Sequence, residues 1–338
     1  MRIRAYAKLN LGLRVLGRRP DGYHELRTLM QTIDLADELS LSLEPGAGAE
    51  AHPRTRKAPK IEIELKVEPQ GQFELRVPPE ENLAWRAASL ICGDYEREDE
   101  REPAGETELE SKLKLKLKLM KRIPPGAGLA GGSSDAAAVL AGVNELLKLG
   151  LSREELAELG ARLGSDVSFF LWGGTCLAEG RGEQLVKLPP LPRYSILVVV
   201  PPFALSTAEV YRKFDELQEQ ERGLLRSSSG SKERRREREK EIGGEKGHLR
   251  NDLEAAAVAL RPELREYREF LARAEPRPRF WGMSGSGPSW FAAFTERAQA
   301  ERLAERFHQE SGRLPGELFL VEPCGRGWEL VDDPDGSE

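Results

Sequence analysis

The chain has 338 residues, of which 39% are hydrophobic and 32% charged, with 51 Lys+Arg against 57 Asp+Glu for a net charge of −6. This length exceeds the usual ceiling for one core and implies two domains, and the apolar fraction excludes a wholly disordered chain. The near balance of charge argues against a general nucleic-acid binder. No apolar run reaches the ~20 residues of a spanning helix. Cys92, Cys176 and Cys324 are too far apart for structural zinc or a disulfide framework. The opening MRIRAYAKLNLGLRVLG shows no apolar core of a signal peptide, so a cytoplasmic protein is expected.

Lys8 and Asn10 lie on a first strand, in which period-2 geometry puts them on one face. Asp21-Gly22 is a turn signal that displays Tyr23 and His24, a pair suited either to ordinary packing or to stacking and reading a base. Residues 44–60, 94–112 and 226–247 read as charged or Gly/Pro-rich insertions that bury too little apolar surface to order themselves. Of these, the ten charged residues 232–241 suit either a solvated helix or a disordered tract. Residues 61–67, 73–77 and 113–119 alternate and predict strands with one wet face, whereas the continuous run at 196–200 predicts a buried strand. Ser152 with Glu155, and Ser206 with Glu209, have capping-box spacing. Asn82, Asn251 and Pro262 also sit at helix starts, and residues 296–310 have helical periodicity. The Leu-Pro-Pro-Leu-Pro run at 188–192 is the best domain boundary, giving domains 1–188 and 189–330.

The most informative stretch is LKLKLKLMKRIPPGAGLAGGSSDAAAVLAGVNELL, residues 113–147, which reads strand, loop, helix. Gly126, Gly128, Gly131 and Gly132 allow close backbone approach and positive φ. Ser133, Ser134 and Asp135 supply N-cap chemistry, and the helix start offers free N–H groups and a positive dipole end. Together these predict an anion site, most naturally for phosphate. Gly126, Gly128 and Gly131 have dinucleotide-loop spacing, but the preceding strand carries lysine at alternate positions and so has one wet face, which disfavours that loop. Nor is it a Walker loop, because Gly132 stands where lysine would follow the second glycine. Asp166, in LGSDVSFF, reads either as a helix cap or as an acid placed in an apolar stretch. Gly285-Ser286-Gly287 reads either as a hairpin turn or as a second backbone-exposing loop.

Pro124, Gly128 and Leu129, followed by GGSSDAA from Gly131, resemble the ATP loop of the GHMP kinases. Ala130 stands where a glycine is common there, a small-for-small change expected to leave phosphate approach open. AYAKLNLGLRVLGRRPDGYHELRTLMQTIDLADEL at 5–39, LGSDVSFFLWGGTCLAEGRGE at 163–183 and MSGSGPSWFAAF at 283–294 resemble the branch that phosphorylates 4-(cytidine 5′-diphospho)-2-C-methyl-D-erythritol. The matches run in order from Lys8 to Phe294, with the charged tracts between them.

The resemblance implies an α+β fold of two domains with the active site in the cleft between them. One domain would be like domain 2 of ribosomal protein S5 and the other ferredoxin-like. It implies Asp166 as general base and Lys8 as its electrostatic partner. ATP would be held by Pro124, Gly126, Gly128, Leu129, Gly131, Gly132, Ser133 and Ser134, with Gly285, Ser286 and Gly287 in support. The second substrate would meet Asn10, Tyr23, His24, Thr207 and Tyr211, its cytosine between the two tyrosines and read by His24. Ser165 and Ser168 replace the usual alanine and proline, and Tyr211 replaces a frequent phenylalanine. Mg²⁺ would enter with ATP, with Ser133 or Ser134 nearby, and no protein metal site is expected. The partners are small molecules, not nucleic acid or membrane, for a monomer or dimer.

Two rivals remain at this level. Another kinase of the superfamily, such as a mevalonate-pathway kinase, is opposed by DGYHEL and by Thr207 with Tyr211. A non-catalytic nucleotide- or RNA-binding protein using 232–241 would bind RNA in a salt-sensitive manner without turning over ATP.

Overall fold

A computed structural model describes residues 1–45, 60–71, 77–99, 112–227, 246–310 and 312–331. Its first sheet is built from β1 (Arg2–Arg18), β2 (His24–Pro45), β3 (Lys60–Pro69), β4 (Lys112–Lys121), β5 (Thr175–Gly180), β6 (Gln184–Lys187) and β11 (Trp328–Val331). The order is β11-β1-β2-β4-β3, with β5 joining β2 and β6 joining β5. Only the β3–β4 pair is parallel, and α1 (Leu83–Asp99) lies between these strands in sequence. The second sheet runs β10 (Glu317–Val321), β7 (Ser195–Val200), β9 (Trp290–Phe294), β8 (Phe280–Met283), all antiparallel.

The hydrophobic pattern dictates the layers. In β4 the odd-numbered leucines 115, 117 and 119 are buried. Lysines 114, 116 and 118 instead make ion pairs with Glu64, Glu44 and Glu68 on the wet face. The buried face packs on α1, α2 (Gly131–Leu147), α3 (Arg153–Leu163) and α4 (Ser165–Trp172). In β7, Ile196, Val198 and Val200 face Ala7, Leu9 and Leu11 of β1. Leu197 and Val199 face the other way, into a core shared with α5 (Thr207–Ser227), α6 (Glu254–Leu260), α7 (Leu264–Ala272) and α8 (Arg297–Gln309). A strand buried on both faces has no polar alternation, which is why ILVVV is continuous. The layers therefore run helices, sheet, sheet, helices.

Most of the expected elements appear. Ser152 and Glu155 form a reciprocal capping box, and the Asn82 side chain accepts from the Ala84 amide. Three expectations need correction. The tract expected to begin at 94 is still helical to Asp99, and Tyr95 packs on the first core. Ser133, Ser134 and Asp135 lie inside α2 and do not cap it. Asn251 does not cap the helix that follows, whose N-cap is Leu253; its Oδ1 accepts from the Leu253 amide and its amide donates to the carbonyls of Met283 and Gly285. The strand expected at 73–77 falls, apart from Val77, outside the described residues, as does most of each expected insertion. The break at 188–192 falls where the chain leaves the first sheet for the second, but β11 brings its last described residues back to β1. No described helix is long and apolar enough to cross a membrane.

The return of the chain needs glycine. A Cβ on Gly327 would overlap the Phe170 carbonyl, and Gly173 is packed as tightly against Arg326 and Gly327. Gly327→Ala should lower stability by about 1–3 kcal/mol in denaturant unfolding. Gly325→Ala, with no atom in contact range of the added methyl, should leave it unchanged.

Candidate active site

An open cleft of about 1280 Å³ lies between the glycine loop, the start of α4, the 22–24 turn and the first turns of α5. Of the residues expected to act, it is lined by Lys8, Asn10, Tyr23, His24, Pro124, Gly126, Gly128, Gly131, Gly132, Ser133, Asp166, Thr207, Tyr211, Gly285 and Ser286. Leu129, Ser134 and Gly287 stand behind this surface. Leu129 is a core residue whose carbonyl takes the Lys8 amide, and the Ser134 hydroxyl donates to the Tyr6 carbonyl at 2.6 Å. Gly287 presents its carbonyl to Gly128.

Lys8 lies just beyond an irregularity in the pairing of β1 with β2. The register of β1 against β2 shifts between Tyr6 and Ala7. Before the shift, Ile3 and Ala5 face the first helical layer, and after it Ala7, Leu9 and Leu11 face the second sheet. Asp34 and Leu35 of β2 are left without β1 partners there, and beyond this point Lys8 and Asn10 line the cleft. The Lys8 ammonium is 4% exposed. It lies 3.6 Å from Asp166 Oδ2, donates to the Gly128 carbonyl at 3.2 Å and is hydrogen-bonded to Asn10 Oδ1. Burial lowers its pKa from the ordinary lysine value, and Asp166 opposes that shift. Asp166 sits in the first turn of α4 with its side chain 27% exposed. Ser168, where proline was expected by resemblance, bonds the Ala157 carbonyl of α3 at 2.8 Å and so fixes α4.

The glycine loop is held from behind. The carbonyls of Gly126 and Ala127 accept from the amides of Leu205 and Ser289, and that of Gly128 also accepts from Ser284 Oγ at 3.0 Å. Gly128 has φ +77°, and a Cβ there would lie 2.5 Å from the Ser284 carbonyl oxygen. With its carbonyls engaged on the far side, the loop leaves the first amides of α2 as donors for an anion. Ala130 occupies the left-handed region at φ 56°, ψ 34°, so the small-for-small change carries a backbone cost.

The loop is anchored at both ends by a buried ion cluster that the sequence reading did not single out. Lys121 Nζ lies 2.8 Å from Asp135 Oδ2 and bonds Asp37 Oδ2, with all three side chains no more than 4% exposed. Asp37 Oδ1 accepts from the amides of Arg122 and Ile123 at 2.5 and 2.8 Å. Burial would lower the Lys121 pKa, but Asp135 and Asp37 raise it. Burial, aided by the Asp37 charge, raises Asp135 well above the carboxylate range despite Lys121. One signal was legible: Lys121 continues the odd, buried phase of Leu115, Leu117 and Leu119.

At the other end of the cleft, Tyr211 and Tyr23 each have a partner of their own. Tyr211 lies against His24, with ring centroids 4.8 Å apart and an interplanar angle of 22°. Tyr23 is exposed beneath the Arg181 guanidinium, 4.9 Å from its ring centroid. Burial and the Asp166 charge both raise the Tyr211 pKa, which ties this corner to Asp166. Thr207 Oγ1 is 2.9 Å from Ser286 Oγ and joins α5 to the second loop. Among the described residues no cluster of three or more His, Cys, Asp or Glu is placed to hold a metal.

An α+β fold of two packed sheets flanked by helices, with a phosphate-type glycine loop and a Lys–Asp pair in the same cleft, defines a small-molecule kinase. The family models for the GHMP kinases N terminal domain and GHMP kinases C terminal match residues 82–174 and 234–313. A 4-diphosphocytidyl-2-C-methyl-D-erythritol kinase of Moorella thermoacetica is 39% identical, over 90% of this chain and 94% of its own length. One from Carboxydothermus hydrogenoformans is 36% identical over 97% and 98%. A crystal structure of 4-(cytidine 5′-diphospho)-2C-methyl-D-erythritol kinase superposes with a TM-score of 0.63 at 31% identity, covering 96% of this chain and all of that one. Homoserine kinase from Cytophaga hutchinsonii, at 17% identity and a TM-score of 0.62, shares the fold. The chain belongs to the GHMP kinases, and within them to the 4-diphosphocytidyl-2-C-methyl-D-erythritol kinase family.

Two outcomes follow for stability. Ala130→Gly should raise it by about 1 kcal/mol in denaturant unfolding, since glycine adopts positive φ without the Cβ clash. For the ion cluster, a raised Asp135 pKa means that the folded state keeps a proton the unfolded chain has lost. Stability should therefore fall as pH rises from the ordinary Asp range, about 3.9, toward the raised value. Asp135→Asn should flatten that slope, whereas Lys121→Met should cost about 3–5 kcal/mol by stranding Asp37. Unfolding midpoints measured across pH 4–8 check both (a range about the ordinary Asp and His values).

Proposed function

We propose that this chain transfers the γ-phosphoryl group of ATP to the 2-hydroxyl of 4-(cytidine 5′-diphospho)-2-C-methyl-D-erythritol, a step of the non-mevalonate route to isopentenyl diphosphate. The observation that carries the reading is the 3.6 Å Lys8–Asp166 pair, set between the glycine loop and the His24–Tyr211 corner. Phosphoryl transfer needs an acceptor hydroxyl in line with the γ-phosphate and positive charge on the transferring oxygens.

Asp166 takes the proton of the acceptor hydroxyl, from a helix start that fixes its carboxylate at the cleft surface. Lys8 holds Asp166 and adds charge beside the Gly128 end of the loop. Its buried ammonium is short of counter-charge until a polyanion arrives, and the arriving phosphates favour the charged form. The amides of Gly131, Gly132 and Ser133 receive phosphate oxygens at the positive end of α2. Gly285 and Ser286 close the cleft from the second sheet, while Asn10, Thr207, Tyr23, His24 and Tyr211 meet the cytidyl substrate.

Mg²⁺ enters on ATP and neutralises phosphate charge. The donor set fits an ion held chiefly by phosphates and water. Ser134 is committed to the Tyr6 carbonyl, which leaves Ser133 as the α2 hydroxyl on the cleft and Asp166 as its nearest carboxylate to Lys8. The reading makes the protein a cytoplasmic enzyme of small molecules. The competing use of 232–241 for RNA falls on residues outside those described.

An ADP-release assay with the cytidyl substrate, with mevalonate and with no acceptor should give turnover with the first alone. Equal rates with mevalonate would overturn the assignment. Asp166→Asn should reduce kcat by about 10²–10⁴-fold while leaving the KM for ATP within about twofold. Near-normal turnover of the folded variant would remove Asp166 from the base role.

A further inference from the structure

His24 is gripped by one turn of α5. Tyr211, Phe214 and Asp215 fall at i, i+3 and i+4, so they share a helix face. Tyr211 covers the imidazole face, and Phe214 meets it edge-on at 6.1 Å and 82°. Asp215 Oδ1 lies 2.7 Å from His24 Nε2, and its other oxygen faces Arg18 Nη1 at 3.8 Å. Arg18 is the β1 residue paired with His24 in the sheet. The His24 side chain is 10% exposed, and that remaining surface lies on the cleft.

The chemistry of this grip selects a tautomer. A carboxylate accepts hydrogen bonds and cannot donate them, so Nε2 must carry the proton. In the neutral imidazole the proton on one nitrogen leaves a bare lone pair on the other. Nδ1 makes no hydrogen bond to any described residue. It is the one polar atom of the ring left for a ligand.

We infer that Asp215 is a specificity-determining positioning residue: by fixing His24 as the Nε2–H tautomer it leaves Nδ1 an acceptor, so the site takes a base with an exocyclic amino group and rejects its keto counterpart. This rests on the reading that His24 meets the base of the cytidyl substrate. Cytosine offers an amino hydrogen at its 4-position, whereas uracil offers a carbonyl oxygen there. Two lone pairs would then face one another in a nearly dry corner, and both acceptors would go unpaired. Asp215 itself does not touch the substrate in this account. Its effect is carried entirely by the proton on His24.

CDP and UDP, tested as inhibitors competitive with the cytidyl substrate, read the preference directly. The unmodified protein should bind CDP about ten- to hundredfold more tightly than UDP. Asp215→Asn, whose amide can donate to Nε2 and so release the tautomer, should bring the ratio toward one with the KM for ATP within about twofold. Asp215→Glu, which restores an acceptor, should recover much of the ratio. Nitrogen-15 histidine spectra of the unmodified protein should show His24 protonated at Nε2 and bare at Nδ1. A CDP preference that survives Asp215→Asn, or a His24 spectrum of the Nδ1–H form, would overturn the inference while leaving the base site intact. If neither nucleotide competes, the base site is wrong and the inference falls with it.

Discussion

The site depends on one constraint: a loop that offers its amides to an anion must satisfy its carbonyls elsewhere. Here the acceptors of residues 126–129 are met from behind by Leu205, Ser289, Ser284 and the Lys8 backbone. Three of these four partners lie between or beside strands of the second sheet. The glycine loop belongs to the first layer in sequence, but its shape is completed by the second. This explains why Gly128 has no room for a side chain, and why Asn251 is buried where it can hold the carbonyls of Met283 and Gly285. The two layers are thus joined at the position where the donor phosphates are read to bind.

Charge follows the same logic of local placement. The chain is net acidic, yet the proposed ligands are polyanions. Two buried lysines divide the work. Lys121 is neutralised by aspartates and acts as a structural pin, and Lys8, with a single carboxylate near it, keeps charge to offer. Many of the remaining ion pairs are exposed, like those along β4, and exposed pairs contribute little to stability. The excess of acidic residues describes the surface rather than the cleft.

Much of this was legible in residue order. The leucines of β4, the run at 196–200 and the glycine loop each carry their structure in their spacing. What was hidden has a common physical cause, since it depends on contacts distant in sequence. Period-2 geometry put Lys8 and Asn10 together, but the break in pairing that precedes them is visible only in the register of β2. Asn251 looked like a cap because its second partner lies more than thirty residues away. His24 and Tyr211 were each read toward the base, but that Asp215 and Phe214 hold His24 against Tyr211 is visible only in the fold. Ala130 looked harmless because side-chain size is visible in a sequence and φ is not.

The pairing of β11 with β1 has a consequence for synthesis. As a nascent chain leaves the ribosome, β1 can find β2 within the first 45 residues, but its other edge waits for Trp328–Val331. Everything between Pro45 and Trp328 must be made before that edge is covered, and an uncovered edge is a template for wrong partners. The arginines Arg2 and Arg4 guard the open side in the interval, since charged edges resist intermolecular pairing.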